Sequence, residues 1–517
     1  MKELIYPRHL LERASWYSDK VGFIDGEYRA TYSQHVDRLA RLCAAMRDEL
    51  GIQKHDRFAL MALNGHCFLE LYHAAFFGAG IINPLNLRLA PKEVEYILKD
   101  SETKVCFVDA FFAGMVAELK EATGIEKIVL IGDGDVPHDV KYEDLIASAT
   151  PRFPEEPEEE DPAVLMYTGG TTGLPKGVLV DHRAEMLNFF HALAAFHLDE
   201  HIVYLHQTPM FHAASMVGVL GAPMGGTSVF IPAFNPAQVL DAIETHKVNL
   251  TVMVPIMVQL MMMAPEFKPE RLASLERLTY GASPMPKAVL EQLIETFPKL
   301  DLYQGYGMTE GSAVLTMLSP EDHRKGGKLL SSAGRALPGV RLSIQDDDGN
   351  ILPQGETGEV CARGGNFMQE YWKKPEATAE AFRGGWYHSG DAGYIDENGY
   401  LFLVDRVKDM IVTGGENVYS VEVENAIASH PAVAQVAVIG IPDDSWGEAV
   451  HAIVVPHAGA EVGAEDVIAH ARASIAGYKV PKSVEFRSEP MPLSGALKVL
   501  KRELRAPYWE GKDRGVN

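Results

Sequence analysis

Short apolar runs of strand length recur along the chain, each leading into a helix-like segment, and this alternation constrains the fold most. Leu250 to Val254 leads into Pro255 and a Met-rich stretch through Met263. Leu275 to Tyr280 leads into a helix opened by Pro286, and Leu300 to Gln304 follows. Strands alternating with helices predict parallel sheets covered by helices, an α/β fold. With 517 residues the chain exceeds one ordinary core, so two to four folding units are expected. After about Val404 the texture changes. A basic cluster there precedes Val433-Ala434-Gln435-Val436-Ala437-Val438-Ile439, a strand candidate, and puts a domain boundary near Asp405 to Lys408. The expected domains are therefore residues 1–405 and 406–517.

Charge narrows the partners. Lys plus Arg total 47 against 71 for Asp plus Glu, a formal charge of -24. Such a surface repels nucleic acid and anionic membrane, so a polyanion site must be a local exception built from chosen cations and backbone N–H groups. The longest stretch free of Asp, Glu, Lys and Arg runs from His201 to Leu240, but His, Pro and Gly interrupt it. It reads as buried core and not as a membrane span. Four scattered cysteines (Cys43, Cys67, Cys106, Cys361) have no metal-ligand spacing and are expected to be reduced and buried. The first residues carry no apolar signal core and the last resemble no targeting signal, so a cytoplasmic location is expected. Pro154 to Pro162 is an acidic, Pro-rich connector.

The chemistry begins just after that connector. Ala163-Val164-Leu165-Met166-Tyr167 suits a buried strand, Thr168-Gly169-Gly170-Thr171-Thr172-Gly173-Leu174-Pro175-Lys176-Gly177 forms a loop, and Val178-Leu179-Val180 resumes. Glycines allow backbone N–H groups close to a ligand, threonines add hydroxyl donors and Lys176 adds positive charge, a combination suited to a phosphate chain. It is not a Walker loop, in which Lys is followed by Ser or Thr. Further on, Gly305-Tyr306-Gly307-Met308-Thr309-Glu310 offers an aromatic face, a hydroxyl and a carboxylate for a hard cation.

These segments resemble, in order, those of the adenylate-forming superfamily of acyl-CoA synthetases, luciferases and peptide-synthetase adenylation domains. The resemblance runs from Tyr28-Arg29-Ala30-Thr31-Tyr32 to the end of the chain. It implies a large N-terminal portion of two helix-flanked sheets plus a small β-barrel, followed by a compact, mobile α/β C-terminal domain. It implies ATP, Mg²⁺ and CoA as co-substrates and cofactor. Thr168, Gly169, Gly170, Thr171, Thr172, Gly173 and Lys176 would face the phosphates, Gly305 and Tyr306 the adenine, Thr309 the α-phosphate and Glu310 the Mg²⁺. Asp391, in Tyr387-His388-Ser389-Gly390-Asp391, would take the ribose hydroxyls with Arg406 beside it. Lys498 would be the catalytic lysine, offsetting the approach of a carboxylate to the α-phosphate. Lys408 falls on the hinge position, and Gly414 and Gly415 lie in the loop that borders the thiol tunnel. The chain departs from the family pattern twice: Gly169 stands where Ser is usual, and Leu497 where Gly precedes the catalytic lysine.

Within that superfamily the acid–CoA ligase branch fits best, because Trp446, Tyr478 and Lys479 lie in segments like the CoA-contacting ones. A freestanding enzyme loading a carrier protein, a luciferase-like oxygenase and a non-catalytic nucleotide-binding protein on the same fold are the alternatives. Resemblance places the acyl pocket near His212, Met216, Gly281 and Ala282. Its apolar lining suggests a hydrophobic acid: medium-chain fatty, aryl or thioether. No Asp in that stretch resembles the anchor for an amino-acid ammonium. The sequence leaves a homodimer open.

Overall fold

The apolar runs become strands close to where the sequence puts them. Leu250–Met253 is followed by helix Pro255–Met263, Arg277–Gly281 by helix Lys287–Thr296, and then comes strand Asp301–Tyr306. These three lie side by side and parallel in a nine-stranded sheet that also takes Val203–His206, Thr227–Phe230 and Val21–Asp25 in parallel. The computed structural model describes residues 4–168, 174–221, 223–283, 285–406, 409–413, 416–443, 445–493 and 499–510.

An eight-stranded sheet runs in the order Glu370–Tyr371, Lys176–Asp181, Pro162–Thr168, Ile81–Pro84, Arg57–Met61, Val105–Asp109, Lys127–Ile131, Val140–Lys141. One face of it shows how sequence becomes core. Ala59 and Met61, Cys106 and Val108, and Ile128 and Leu130 are two apart on their strands, so each pair points to the same side. Onto that side pack Val94, Ile97 and Leu98 of helix Pro91–Asp100, spaced three and four apart on one helix face. Burying each such aliphatic side chain contributes about 1.5–3 kcal/mol. Helix Pro91–Asp100 starts with Pro at its first turn, and the Glu93 carboxylate accepts from the Ala90 N–H.

The chain divides into two units. One comprises Met1–Met285, Val289–Arg341 and Arg363–Phe382 and holds both large sheets; the other comprises Pro286–Ala288, Leu342–Ala362 and Arg383–Asn517. The small β element of the second unit is a four-stranded sheet in the order Arg341–Gln345, Gly358–Arg363, Tyr387–Ile395, Leu401–Arg406. The second unit also carries a five-stranded sheet dominated by the hairpin of Val433–Asp443 and Gly447–Pro456. Its core joins Val438, Val450, Ala452 and Val454 to Val423 and Ile427 of helix Ser420–Ala428 and to Val467 and Ala471 of helix Ala464–Arg472.

The stretch from His201 to Leu240 is broken into strand, short helix and strand, and among the described residues no helix is long and apolar enough to cross a membrane. All four cysteines are free and buried.

Candidate active site

The Gly/Thr loop connects two antiparallel strands, Pro162–Thr168 and Lys176–Asp181, with Thr168 and Lys176 as register partners at its two feet. The Thr168 hydroxyl donates to the Lys176 carbonyl at 3.4 Å. Gly169, Gly170, Thr171, Thr172 and Gly173 lie outside the described residues, as do Lys408, Gly414, Gly415, Leu497 and Lys498. Thr168 and Lys176 thus fix where the loop leaves and rejoins the sheet.

A two-residue strand, Glu370–Tyr371, closes the far edge of this hairpin by pairing with Val178 and Leu179. It brings together two site residues that the sequence separates widely. The Lys176 ammonium sits 4.7 Å from the centre of the Tyr371 ring, within cation–π range. The Tyr371 hydroxyl donates to Glu310 Oε1 at 2.8 Å. Neighbouring bonds hold the same contact: the Met368 N–H donates to the Glu310 carbonyl at 2.8 Å, and the Asn366 amide to the Gly311 carbonyl at 2.8 Å. Tyr371 was not among the residues expected from sequence. Its strand is too short to show a period, and only an aromatic pair, Tyr371-Trp372, marks it.

Gly281, Ala282, Tyr306, Thr309 and Glu310 cluster at the carboxyl ends of adjacent parallel strands, where ligands of α/β sheets are commonly bound. Gly281 and Gly305 are register partners, and a Cβ at Gly281 would stand 2.3 Å from the Gly305 carbonyl oxygen. Glycine is therefore required there by backbone contact. Ala282, Ser312 and Ala313 have positive φ (64°, 49° and 85°), a conformation that side chains disfavour, and all three sit beside these strand ends. Tyr306 is buried, and Thr309 opens the single turn Thr309–Gly311 that carries Glu310. His212 precedes the turn Ala213–Ser215, whose Ser215 hydroxyl donates to the His212 carbonyl at 2.7 Å. Met216, fully buried, begins helix Met216–Gly221.

In the second unit, Asp391 on strand Tyr387–Ile395 is the register partner of Arg406 on Leu401–Arg406. The two residues expected at the ribose are thus cross-strand neighbours. Trp446 lies at the tip of the long hairpin, where Asp443 Oδ1 accepts the N–H groups of Ser445 and Trp446, and Gly447 turns the chain at φ 77°. Its ring is 52% exposed with the Lys482 ammonium 5.4 Å from its centre. Tyr478 is also exposed, and the Lys479 ammonium stands 5.6 Å from its ring. Partial burial acts to lower the Lys479 pKa, but the Glu422 carboxylate at 2.7 Å outweighs it and the net shift is upward. Lys501, which the sequence allows as part of a basic terminal face, is partly buried instead. Its ammonium is 2.7 Å from Glu424 and bonds the Ser420 hydroxyl, which in turn donates to Asp405.

The AMP-binding enzyme family model matches residues 10–372, and the AMP-binding enzyme C-terminal domain matches 422–498. A feruloyl-CoA synthase of Amycolatopsis sp is 37% identical over 481 residues, covering 92% of this chain and 94% of that protein. The fatty acid–[acyl-carrier-protein] ligase ScoC of Streptomyces coeruleorubidus is 35% identical, covering 94% and 93%. Among solved structures, ATP-bound MatB from Rhodopseudomonas palustris is 28% identical with a TM-score of 0.87, covering 97% of this chain and 98% of that one. With both family models and relatives above 30% identity matching across most of its length, the chain belongs to the AMP-binding enzyme family, in the acyl-CoA synthetase branch of the adenylate-forming superfamily.

Proposed function

We propose that the protein is an ATP-dependent acid–CoA ligase that converts a hydrophobic carboxylic acid to its acyl-adenylate and then to its CoA thioester. The observation that carries this reading is the connected path Lys176–Tyr371–Glu310, which sets a cation and a carboxylate around one ring beside the phosphate-type loop. The Glu310 carboxylate is an oxygen donor of the kind a hard divalent cation takes, so it fits Mg²⁺, while the Thr309 hydroxyl faces the α-phosphate. When bound, that ion would offset negative charge on the phosphate oxygens.

In the first half-reaction a carboxylate oxygen of the acid attacks the α-phosphorus and the bond to pyrophosphate breaks. Both partners are anionic, so catalysis is chiefly charge placement. Lys176, Thr168 and the loop through Gly173 hold the phosphates; Tyr306 and Gly305 border the adenine; Asp391 accepts from the ribose hydroxyls with Arg406 beside it. Lys498 offsets the charge that develops between carboxylate and α-phosphate. His212, Met216, Gly281 and Ala282 shape the acyl pocket. In the second half-reaction the thiol sulfur attacks the acyl carbon, the thiol proton passes to solvent and AMP leaves. Trp446, Tyr478 and Lys479 receive CoA, with Gly414 and Gly415 at the tunnel and Lys408 as the pivot.

The likeness to ScoC favours one second reading, a carrier-protein thiol as acceptor. A panel of medium-chain, aryl and thioether acids, assayed for AMP release with CoA and separately with a phosphopantetheinylated carrier protein, tests both. CoA-dependent release, abolished in Lys498→Ala, is the expected result. Release with the carrier protein alone would overturn the CoA assignment.

A further inference from the structure

A second cluster of reactive side chains lies at the start of helix His66–Phe76, in the first unit. His66 Nδ1 is 2.7 Å from Asp25 Oδ2, and the same oxygen accepts the His66 backbone N–H at 3.0 Å. The carboxylate therefore holds the Nδ1 proton, leaving the Nε2 lone pair facing Cys67 Sγ at 3.3 Å. Gly65 makes this approach tolerable, since a Cβ there would stand 2.9 Å from Asp25 Oδ2. The Tyr28 ring stacks on the imidazole at 3.8 Å with planes 12° apart, fixing its orientation. A Glu143 carboxylate oxygen completes the group: His66, Cys67 and Glu143 donor atoms all lie within 4.8 Å of one another.

The order Cys–His–Asp is that of a nucleophile, a base and an orienting carboxylate, but the surroundings oppose that use. Cys67 is buried, and burial first, then the charges of Glu70 and Glu143, hold its thiol well above the ordinary range. The same carboxylates that oppose a bare thiolate attract a divalent ion. Asp25, Glu70 and Glu143 outnumber Arg38, which bonds both oxygens of Glu70 and of Glu143.

We propose that His66 Nε2, Cys67 Sγ and Glu143 form a binding site for a zinc-class divalent cation, with Asp25 orienting the histidine from behind. Tetrahedral bonds of about 2.0–2.3 Å place donors roughly 3.3–3.7 Å apart, and the Nε2–Sγ separation already matches. The Glu143 side chain is 57% exposed and closes the remaining distance by rotating, keeping one Arg38 bond while its other oxygen turns to the ion. Coordination replaces the thiol proton, which passes to water, and a water molecule takes the fourth position. The carboxylate–histidine pairing is the arrangement that ordinarily supports a metal-bound imidazole. The site is independent of the proposed ligase chemistry.

The test uses the intact protein, stripped with chelator and titrated with cobalt(II) as a spectroscopic probe, then with zinc in competition. Expected are one equivalent bound, a thiolate-to-cobalt charge-transfer band, and displacement of that band by zinc. Cys67→Ser should abolish the band, and Asp25→Asn should weaken zinc affinity about 10- to 100-fold. Cys361→Ser controls for the other His/Cys/Glu group, Glu359–Cys361–His388, and should leave the band unchanged. No stoichiometric binding, a band that survives Cys67→Ser, or one lost in Cys361→Ser would each overturn the assignment. Circular dichroism of Cys67→Ser matching wild type separates loss of the ligand from loss of the fold, and Glu143→Gln, which also weakens the Arg38 pairing, must weaken binding in step with its circular dichroism again matching wild type.

Discussion

Tyr371 and Glu310 are joined by a 2.8 Å hydrogen bond, hydroxyl to carboxylate, although their backbones belong to a strand and a turn sixty-one residues apart. The bond fixes which Glu310 oxygen remains for other partners. Because its acceptor carries charge, a bond of this kind is worth about 1.5–3 kcal/mol. Tyr371→Phe keeps the ring under Lys176 and deletes only the hydroxyl. Pyrophosphate exchange at limiting Mg²⁺ should fall roughly 10- to 100-fold, with recovery at high Mg²⁺ and an unchanged KM for CoA. A uniform loss at every Mg²⁺ concentration would mean that Tyr371 acts only through folding.

Trp446→Ala should raise the KM for CoA while leaving the KM for ATP unchanged. Base stacking on one aromatic side chain is worth about 1–3 kcal/mol, roughly 5- to 150-fold in affinity. The ring is 52% exposed, so its removal should cost little stability. Thermal unfolding of the variant within a degree or so of wild type, with KM for CoA unmoved, would refute its assignment to CoA.

Gly281→Ala and Gly305→Ala separate packing from chemistry. The first places a Cβ 2.3 Å from a backbone oxygen, whereas the second meets nothing nearer than Val314 at 3.8 Å. Overpacking against backbone costs about 1–3 kcal/mol, so Gly281→Ala should lower the Tm by several degrees. Gly305→Ala should fold like wild type and show any defect in the KM for ATP. Equal Tm losses in both would contradict the close approach.

Glu185, fully buried on helix His182–Phe196, has its carboxyl pushed up to about 8, chiefly by burial, against a hydrogen bond from Asn188 and with help from the Asp181 charge. In the folded protein it keeps its proton up to that pH, whereas unfolded glutamate releases it near 4.5. The folded state therefore binds more protons across this window, and stability from this group is lost as pH rises through it. Glu185→Gln keeps the shape and removes the titration. The fall in Tm between pH 5 and pH 8 should be shallower in the variant than in wild type; parallel profiles would place the titrating group elsewhere.

Much of the sheets was legible because many strands are largely apolar runs of four or more residues close to Pro or Gly, as at Leu250–Met253, which Pro255 follows. Candidate site residues adjoining those runs, such as Gly281, Tyr306 and Glu310, could be named by matching short segments. Tyr371 could not, because a two-residue strand carries no periodic signal and its partners are distant. Lys501 misled in the opposite sense: beside Arg502 it reads as a solvated cation, and only the fold reveals that Glu424 and Ser420 enclose it. The cluster at Asp25, His66, Cys67 and Glu143 has no ligand spacing in sequence, since three separate elements supply it.

The Glu370–Tyr371 strand also sets an order of events during synthesis. Until those residues leave the ribosome, Lys176–Asp181 is an open sheet edge, its outward N–H and C=O groups unpaired. Nearly two hundred residues separate the two, so at about 5–20 residues per second the edge stays bare for on the order of ten seconds or longer. A nascent chain halted before Glu370 would present Val178 and Leu179, in extended conformation, to any other strand within reach. Expression yield should therefore respond to chaperone supply and to pausing codons within this interval, as it should while Val21–Asp25 awaits Thr227–Phe230.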